Sequence, residues 1–324
     1  MRPIRHCAMP IAACALAAAS MLAPNSARGQ IFVTNWQNNS VGEYGLDGTP
    51  INPALITGLN GANGIAVAGS DVFVVNSGNG ADGYVSEYTT AGDVVNPYLI
   101  TGLSDPQGIA ISGSQIFVTN GGCGEVGEYT LGAPGQITSS NPTLISGLGY
   151  PRGIAVSGSN LFVADSPANA VDEFDISGTP IGTPLVTGLQ FPWGIAESDP
   201  ELYVASYGGN GPVGDYTLGA NPGTLAASNP SLFWGSNFQQ GIAALGSDLF
   251  VTNWSNGTIG EYTTSGGTVN ASLVSNVPGV SGIAVVADTD TNPADPPVPE
   301  PASAAILLAA GMGLLARRPQ KRRA

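Results

Sequence analysis

The sequence repeats itself six times, and no other feature limits its fold so tightly. A segment of the form Ile-Phe-Val-Thr-Asn begins at Ile31 and returns, slightly altered, at Val72, Ile116, Leu161, Leu202 and Leu249. The spacings are 41, 44, 45, 41 and 47 residues. Gly-Ile-Ala recurs at Gly64, Gly108, Gly153, Gly194, Gly241 and Gly282. An acidic residue followed by an aromatic one recurs at Glu43-Tyr44, Glu87-Tyr88, Glu128-Tyr129, Glu173-Phe174, Asp215-Tyr216 and Glu261-Tyr262. A fourth segment, clearest at Pro53–Leu59, drifts in the last two repeats. A fixed motif order at a period of about 40–45 residues, with room for about four short strands, predicts an all-β, six-bladed β-propeller of four-stranded blades over residues 30–286.

The strand chemistry agrees with that architecture. Ile31, Phe32 and Val33 are apolar on both faces, as a strand sandwiched between neighbouring blades must be. Gly-Ile-Ala-Val alternates small and branched side chains, which suits the innermost strand, where backbones crowd the axis. The Asn or Asp after the second strand (Asn35, Asn76, Asn120, Asp165, Asn253) can bond the backbone of its own turn. The repeats also start and stop out of phase. Ile31 opens with a second-strand motif that has no Gly-Ile-Ala before it, and Gly282–Val286 ends the series with nothing after it. The two orphans are complementary, so Gly282–Val286 should pair with Ile31–Asn35 and close the ring.

Charge is distributed as unevenly as the repeats are regular. From Gln30 to Pro301 there are 23 acidic residues against one basic residue, Arg152, a formal charge of −22. Such a body repels phosphate backbones, which excludes nucleic acid as a partner. The only histidine is His6, and the body holds no lysine and one cysteine, Cys123. Serine and cysteine triads, Schiff-base lysines and zinc sites are therefore excluded. This composition weighs against an enzyme, and the expectation it supports is a body without catalysis. Cys123 sits among glycines, as an exposed loop would, and has no partner for an intrachain disulfide once residues 1–29 are removed. No cofactor or metal ligand set is expected, although so acidic a surface admits weak calcium binding. Asp288-Thr289-Asp290 begins like a calcium loop, but Pro293 occupies the position that needs glycine.

Residues 1–29 have the order of a secretory signal peptide: Arg2 and Arg5, an apolar run, then Ala27-Arg28-Gly29 as a cleavage site. A Pro/Asp-rich linker spans 287–298. Pro299, Glu300 and Pro301 then precede an apolar segment, Ala302–Ala316, and a basic cluster of Arg317, Arg318, Lys321, Arg322 and Arg323. Fifteen residues at about 1.5 Å each reach ~23 Å, short of a hydrocarbon core of about 30 Å. Snorkelling arginines would close that gap as a short apolar helix entered the inner membrane. This three-part order resembles the PEP-CTERM sorting signal, over residues 299–324. The resemblance implies an exosortase-type processing enzyme as partner and an exported protein of the cell envelope, cell surface or extracellular polysaccharide matrix.

Within the body, Asp105-Pro106-Gln107-Gly108-Ile109-Ala110 and Tyr150-Pro151-Arg152-Gly153-Ile154-Ala155 resemble NHL-type propeller repeats. The pattern is related to gluconolactonase-like and streptogramin-lyase-like propellers. The first group implies acidic and Asn metal ligands at the channel mouth. Here the residues just before Gly-Ile-Ala are Asn63, Gln107, Arg152, Trp193, Gln240 and Ser281, none of them a carboxylate. The second implies a catalytic histidine, which the body lacks.

All four tryptophans fall in or beside loops that a propeller gathers on one face. Trp36, Arg152, Trp193, Tyr207 and Trp254 are therefore the candidate ligand-binding residues, because exposed aromatics beside amide donors suit sugar rings. The alternative is that these aromatics plug the channel or staple blades together. The acidic ladder on the third strands recurs in every blade. That argues for a solvated or blade-edge role, since active sites break symmetry. The expected function is a non-catalytic binding or scaffold module at the cell surface. The alternative is a propeller hydrolase or lyase acting on sugars or lactones through channel-mouth carboxylates. Convergence of carboxylates at one mouth would distinguish them.

Overall fold

The computed structural model describes residues 29–287 except 79, 81, 209, 210, 236 and 237. All but the last residue of the expected signal peptide, all but the first residue of the linker, and the sorting tail lie outside the described residues. What is described is six antiparallel sheets of four strands each. Blade 1 orders its strands Val280–Val286, Gln30–Asn35, Ser40–Gly45 and Pro50–Thr57 from the axis outward. Blades 2 to 6 follow in sequence over residues 62–103, 106–145, 151–186, 192–234 and 239–274.

Blade 1 is completed from both ends of the chain. Ile31 pairs with Val285, Phe32 with Ala284 and Val33 with Ile283, antiparallel, with a register shift before Asn35 meets Val280. The orphan motifs are thus one strand pair, and the ring has no open seam.

The apolar second strands hold neighbouring blades together. Six clusters of buried side chains fill the six blade interfaces. Phe32 packs with Val72 and Val74 of blade 2, whereas Ile31 and Val33 pack with Phe250 and Ile259 of blade 6. One strand therefore serves two cores through its alternating faces. Phe32, Phe73, Phe117, Phe162 and Phe250 are all essentially inaccessible, each worth about 2–3 kcal/mol of burial.

The inner strands explain the invariant glycine of Gly-Ile-Ala. A Cβ on Gly64 would meet the Gln107 carbonyl oxygen at 2.5 Å. The same contact runs from Gly108 to Arg152, Gly153 to Trp193, Gly194 to Gln240, Gly241 to Ser281 and Gly282 to Asn63, all at 2.3 to 2.5 Å. Each inner strand lies against the next with no room for a methyl group, and the circle closes. Threonine hydroxyls pin it in three blades. Thr252 Oγ1 accepts from Gly241 N at 2.7 Å and donates to the Ser281 carbonyl at 2.6 Å. Thr34 and Thr119 do the same in their blades.

Two readings of repeated residues need correction. Among the described residues, the Asn or Asp after the second strand caps its own turn only at Asn35, which accepts from Asn38 N. Asn76, Asn120 and Asp165 instead accept from Asn60, Ser104, and Gly149 with Tyr150, gripping the loop that arrives from the preceding blade. The third-strand acids are structural, and three of the six are buried, while Glu128, Asp215 and Glu261 are partly exposed. Glu43, Glu87 and Glu173 are only 6%, 1% and 3% exposed. In blades 1, 3 and 4 an amide from the neighbouring strand satisfies the acid: Gln30 on Glu43, Gln115 on Glu128, Asn160 on Glu173. Glu87 and Glu173 also accept a backbone N–H from the next blade, at Gly135 and Gly223. Blades 2, 5 and 6 place a second acid (Asp71, Glu201, Asp248) where the amide would be. Burial first, and those acids further down the order of causes, push Glu87, Asp215 and Glu261 upward, Asp215 to about 6.

Candidate functional site at the channel mouth

The six residues that precede Gly-Ile-Ala form a ring at one end of the axis, one from each blade. In order they are Asn63, Gln107, Arg152, Trp193, Gln240 and Ser281. Their backbone carbonyls are fixed by the glycine contacts, so only their side chains vary. Below them the glycines and isoleucines line a thin shaft of about 80 Å³. Above them opens a cavity of about 330 Å³.

Side-chain hydrogen bonds run around much of the ring. Ser281 Oγ donates to Asn63 Oδ1 at 2.7 Å, and Asn63 Nδ2 donates to Gln107 Oε1 at 2.7 Å. Arg152 Nη1 donates to the same Gln107 oxygen at 3.1 Å. Gln107 Nε2 faces Asp105 Oδ1 at 2.8 Å and the Tyr150 hydroxyl at 3.2 Å. The Tyr150 hydroxyl in turn donates to Asp105 Oδ2. Burial, then the bonded Asp105, push the Tyr150 phenol up to about 12, so it stays protonated and acts as a donor.

Arg152 is the only cation of the body, and it sits over aromatic rings. Its guanidinium carbon lies 3.4 Å from the Trp193 ring centre and 4.7 Å from that of Tyr150. Burial pulls its pKa below the usual arginine value, against the raising effect of Tyr150, Asp105 and Tyr207. The stack continues from Trp193 to Tyr207 at 4.6 Å and from Tyr207 to Phe238 at 4.8 Å.

The five nominated residues, Trp36, Arg152, Trp193, Tyr207 and Trp254, all line the mouth cavity. Trp254 also borders a neighbouring groove of about 440 Å³ between the loops of blades 6 and 1, lined by Gln37, Asn276 and Pro278. Phe191 and Trp234 are more than half exposed and line neither space. Cys123 is exposed in a short 3-10 turn, Gly121–Cys123.

Sequence reasoning passed over Asp105. It stands three residues before Gly108, a position occupied elsewhere by Gly61, Tyr150, Phe191, Phe238 and Gly279. At five of these six positions the backbone turns left-handed, with φ of 48° at Asp105. Aspartate tolerates that conformation better than most residues. The signal available in the sequence was the lone carboxylate at a position that repeats in every blade. Among the described residues no three His, Cys, Asp or Glu side chains cluster as a metal site would.

No family model matches the chain, and no curated protein matches it. Solved structures do. A nidogen/laminin complex superposes with a TM-score of 0.64 at 17% identity, covering 79% of this chain and 98% of that one. A streptogramin B lyase gives 0.55 at 20%, covering 78% and 83%. A gluconolactonase of Xanthomonas campestris gives 0.54 at 16%, covering 68% and 78%. These likenesses show the fold. They also correct the expectation that the body is not an enzyme, because enzymes are among the proteins built this way. That expectation counted residue types along the chain. The mouth instead gathers Asp105, a phenol, a guanidinium and an amide, and these can exchange and direct protons without histidine or lysine.

Proposed function

We propose that the protein is a propeller enzyme acting on a sugar or sugar-derived lactone held in the mouth cavity. One observation carries this: Asp105, gripped by Tyr150 and Gln107, faces the same cavity as Trp36, Trp193, Tyr207 and Trp254. Aromatic faces hold the C–H surfaces of a sugar ring, and amides at the ring satisfy its hydroxyls. The structure named as a gluconolactonase supports the choice of substrate class. For a lactone, water attacks the acyl carbon while Asp105 takes the water proton. The ring acyl–oxygen bond then breaks, and Asp105 returns the proton to the departing alkoxide, leaving a hydroxy acid. Tyr150 and Gln107 are positioning residues that fix the carboxylate.

The test is turnover of a panel of sugar lactones, esters and oligosaccharides by residues 30–287, with Asp105→Asn as the comparison. General acid–base loss should lower kcat by about 100-fold or more while the melting temperature holds. Turnover of nothing in the panel, or an Asp105→Asn variant as active as the parent, would sink the idea.

We infer also that the chain is exported through residues 1–29 and sorted through Pro299, Glu300, Pro301 and the arginines 317 and 318. An exosortase-type enzyme would be its processing partner and extracellular polysaccharide its setting. The arrangement of blade 1 suits such tethering. Gln30 lies opposite Val286 at one end of the paired strands, whereas Asn35 and Val280 mark the mouth end. A tether at either terminus leaves the mouth pointing away from the attachment.

A further inference from the structure

We propose that the ligand of this mouth carries a carboxylate, as a uronic or aldonic acid does, and that Arg152 and Gln240 receive it. The inference rests on the mouth being a sugar site and adds the charge of the sugar.

Arg152 is the anomaly that calls for it. A body of formal charge −22 could have paired its one cation many times over. Among the described residues Arg152 makes no ion pair. Its side-chain partners are a neutral amide oxygen and two aromatic rings. Asp105 acts on it only through space, its carboxylate being bonded to Tyr150 and Gln107. A partly buried guanidinium without a bonded counter-ion is costly, and a carboxylate is its strongest complement because the planar fork binds both oxygens. Ring stacking leaves in-plane N–H groups as the remaining donors. Arg152 borders both the shaft and the mouth cavity, so those donors are reachable.

Gln240 is an independent observation. It is 6% exposed, lines both the shaft and the mouth cavity, and makes no side-chain hydrogen bond among the described residues. Its amide atoms are not sealed off: they open on the mouth cavity without a protein partner and are free to meet an arriving ligand. Around the ring it follows Trp193, which follows Arg152, on the side away from Asp105. An incoming carboxylate is therefore held by Arg152 and Gln240 without meeting the Asp105 charge head-on. Asp105 is occupied by Tyr150 and Gln107 on the opposite side of Arg152.

Calorimetry on the Asp105→Asn variant reads binding without turnover. The probes are a glucuronate-containing oligosaccharide and its carboxyl-reduced counterpart. The acidic probe should bind at least about tenfold more tightly, the effect of charge-assisted hydrogen bonds. Arg152→Gln should erase that preference, Arg152→Lys should restore part of it, and Gln240→Ala should weaken the acidic probe severalfold with an unchanged melting temperature. The Gln240→Ala arm decides the matter if Arg152→Gln fails to fold, since Gln240 holds nothing in place. Equal binding of the two probes overturns the carboxylate site and leaves the sugar site standing. Binding of neither overturns both.

Discussion

Removing the last described strand should dissolve the whole ring rather than loosen one blade. Strand Val280–Val286 contributes Val280, fully buried, and Ile283, 7% exposed. At about 1.5–3 kcal/mol each, their burial is worth about 4–5 kcal/mol. Its five paired positions with Gln30–Asn35 add ladder hydrogen bonds at a net value of about 1 kcal/mol per position, or about 5 kcal/mol together. Gly282 also seats against the Asn63 carbonyl. The loss of about 9–10 kcal/mol is comparable to the entire stability of an ordinary domain, about 5–15 kcal/mol. Chains ending at residue 287 and at residue 279 should therefore differ in kind. In urea, followed by tryptophan fluorescence and size exclusion, the longer chain should show one cooperative transition. The shorter should show none and should elute as aggregate, because it exposes both an apolar surface and an unpaired edge. A peptide of residues 280–287 added in excess should partly restore the transition. Cutting the full chain back to residue 287 should change little. A 30–279 chain that melts cooperatively within a few degrees of the longer one would refute the reasoning.

Two further outcomes are expected. Asp172 is 8% exposed, and burial, then Asp165, push its carboxyl from 3.8 up to about 6. A folded pKa above the unfolded one means that its contribution is complete below about pH 4 and is lost as pH rises through about 6. Asp215 is shifted the same way, so the melting temperature should be higher near pH 5 than at pH 7.5. Asp172→Asn should flatten that slope and add about 1–2 kcal/mol at neutral pH after allowance for screening; a variant less stable at pH 7.5 would contradict the assignment. For the tail, mass spectrometry of surface-located protein should find no residues beyond about Pro301, and mature surface protein that retains Ala324 would rule out processing.

The fold was legible because the repeat fixes strand phase. Once Ile-Phe-Val and Gly-Ile-Ala are placed on second and inner strands, their order gives the blade count, and the two orphan motifs give the closure. The partners of repeated polar residues were not legible. Asn76 and Asn120 reach loops some sixteen residues away in sequence, and Glu87 and Glu173 are bonded from neighbouring blades that no local pattern reveals. The candidate site was legible in part. Trp36, Arg152, Trp193, Tyr207 and Trp254 were recognised by residue type on one face. Asp105 was missed because attention fell on the residue next to each glycine, whereas the mouth is also lined from two positions further back. Gln240 was visible as a member of the ring, but its lack of a partner is a fact of three dimensions.

The same ring shows how a symmetric body carries an asymmetric site. The six glycine-to-carbonyl contacts require only a backbone from Asn63, Gln107, Arg152, Trp193, Gln240 and Ser281, so their side chains are released from any part in closing the circle. The apolar clusters that stabilise the body lie outward, between second strands, and do not involve these six side chains. Substitution at the ring can therefore change what the mouth holds at little cost to the fold. Four members have used that freedom for polar groups in one hydrogen-bonded chain, a fifth has become an aromatic seat for the only cation, and the sixth keeps a free amide. Six blades with equal backbones and unequal side chains at one level is the arrangement a binding site needs. It also explains why the breaks in the repeat point to function, while the repeat itself points to the fold.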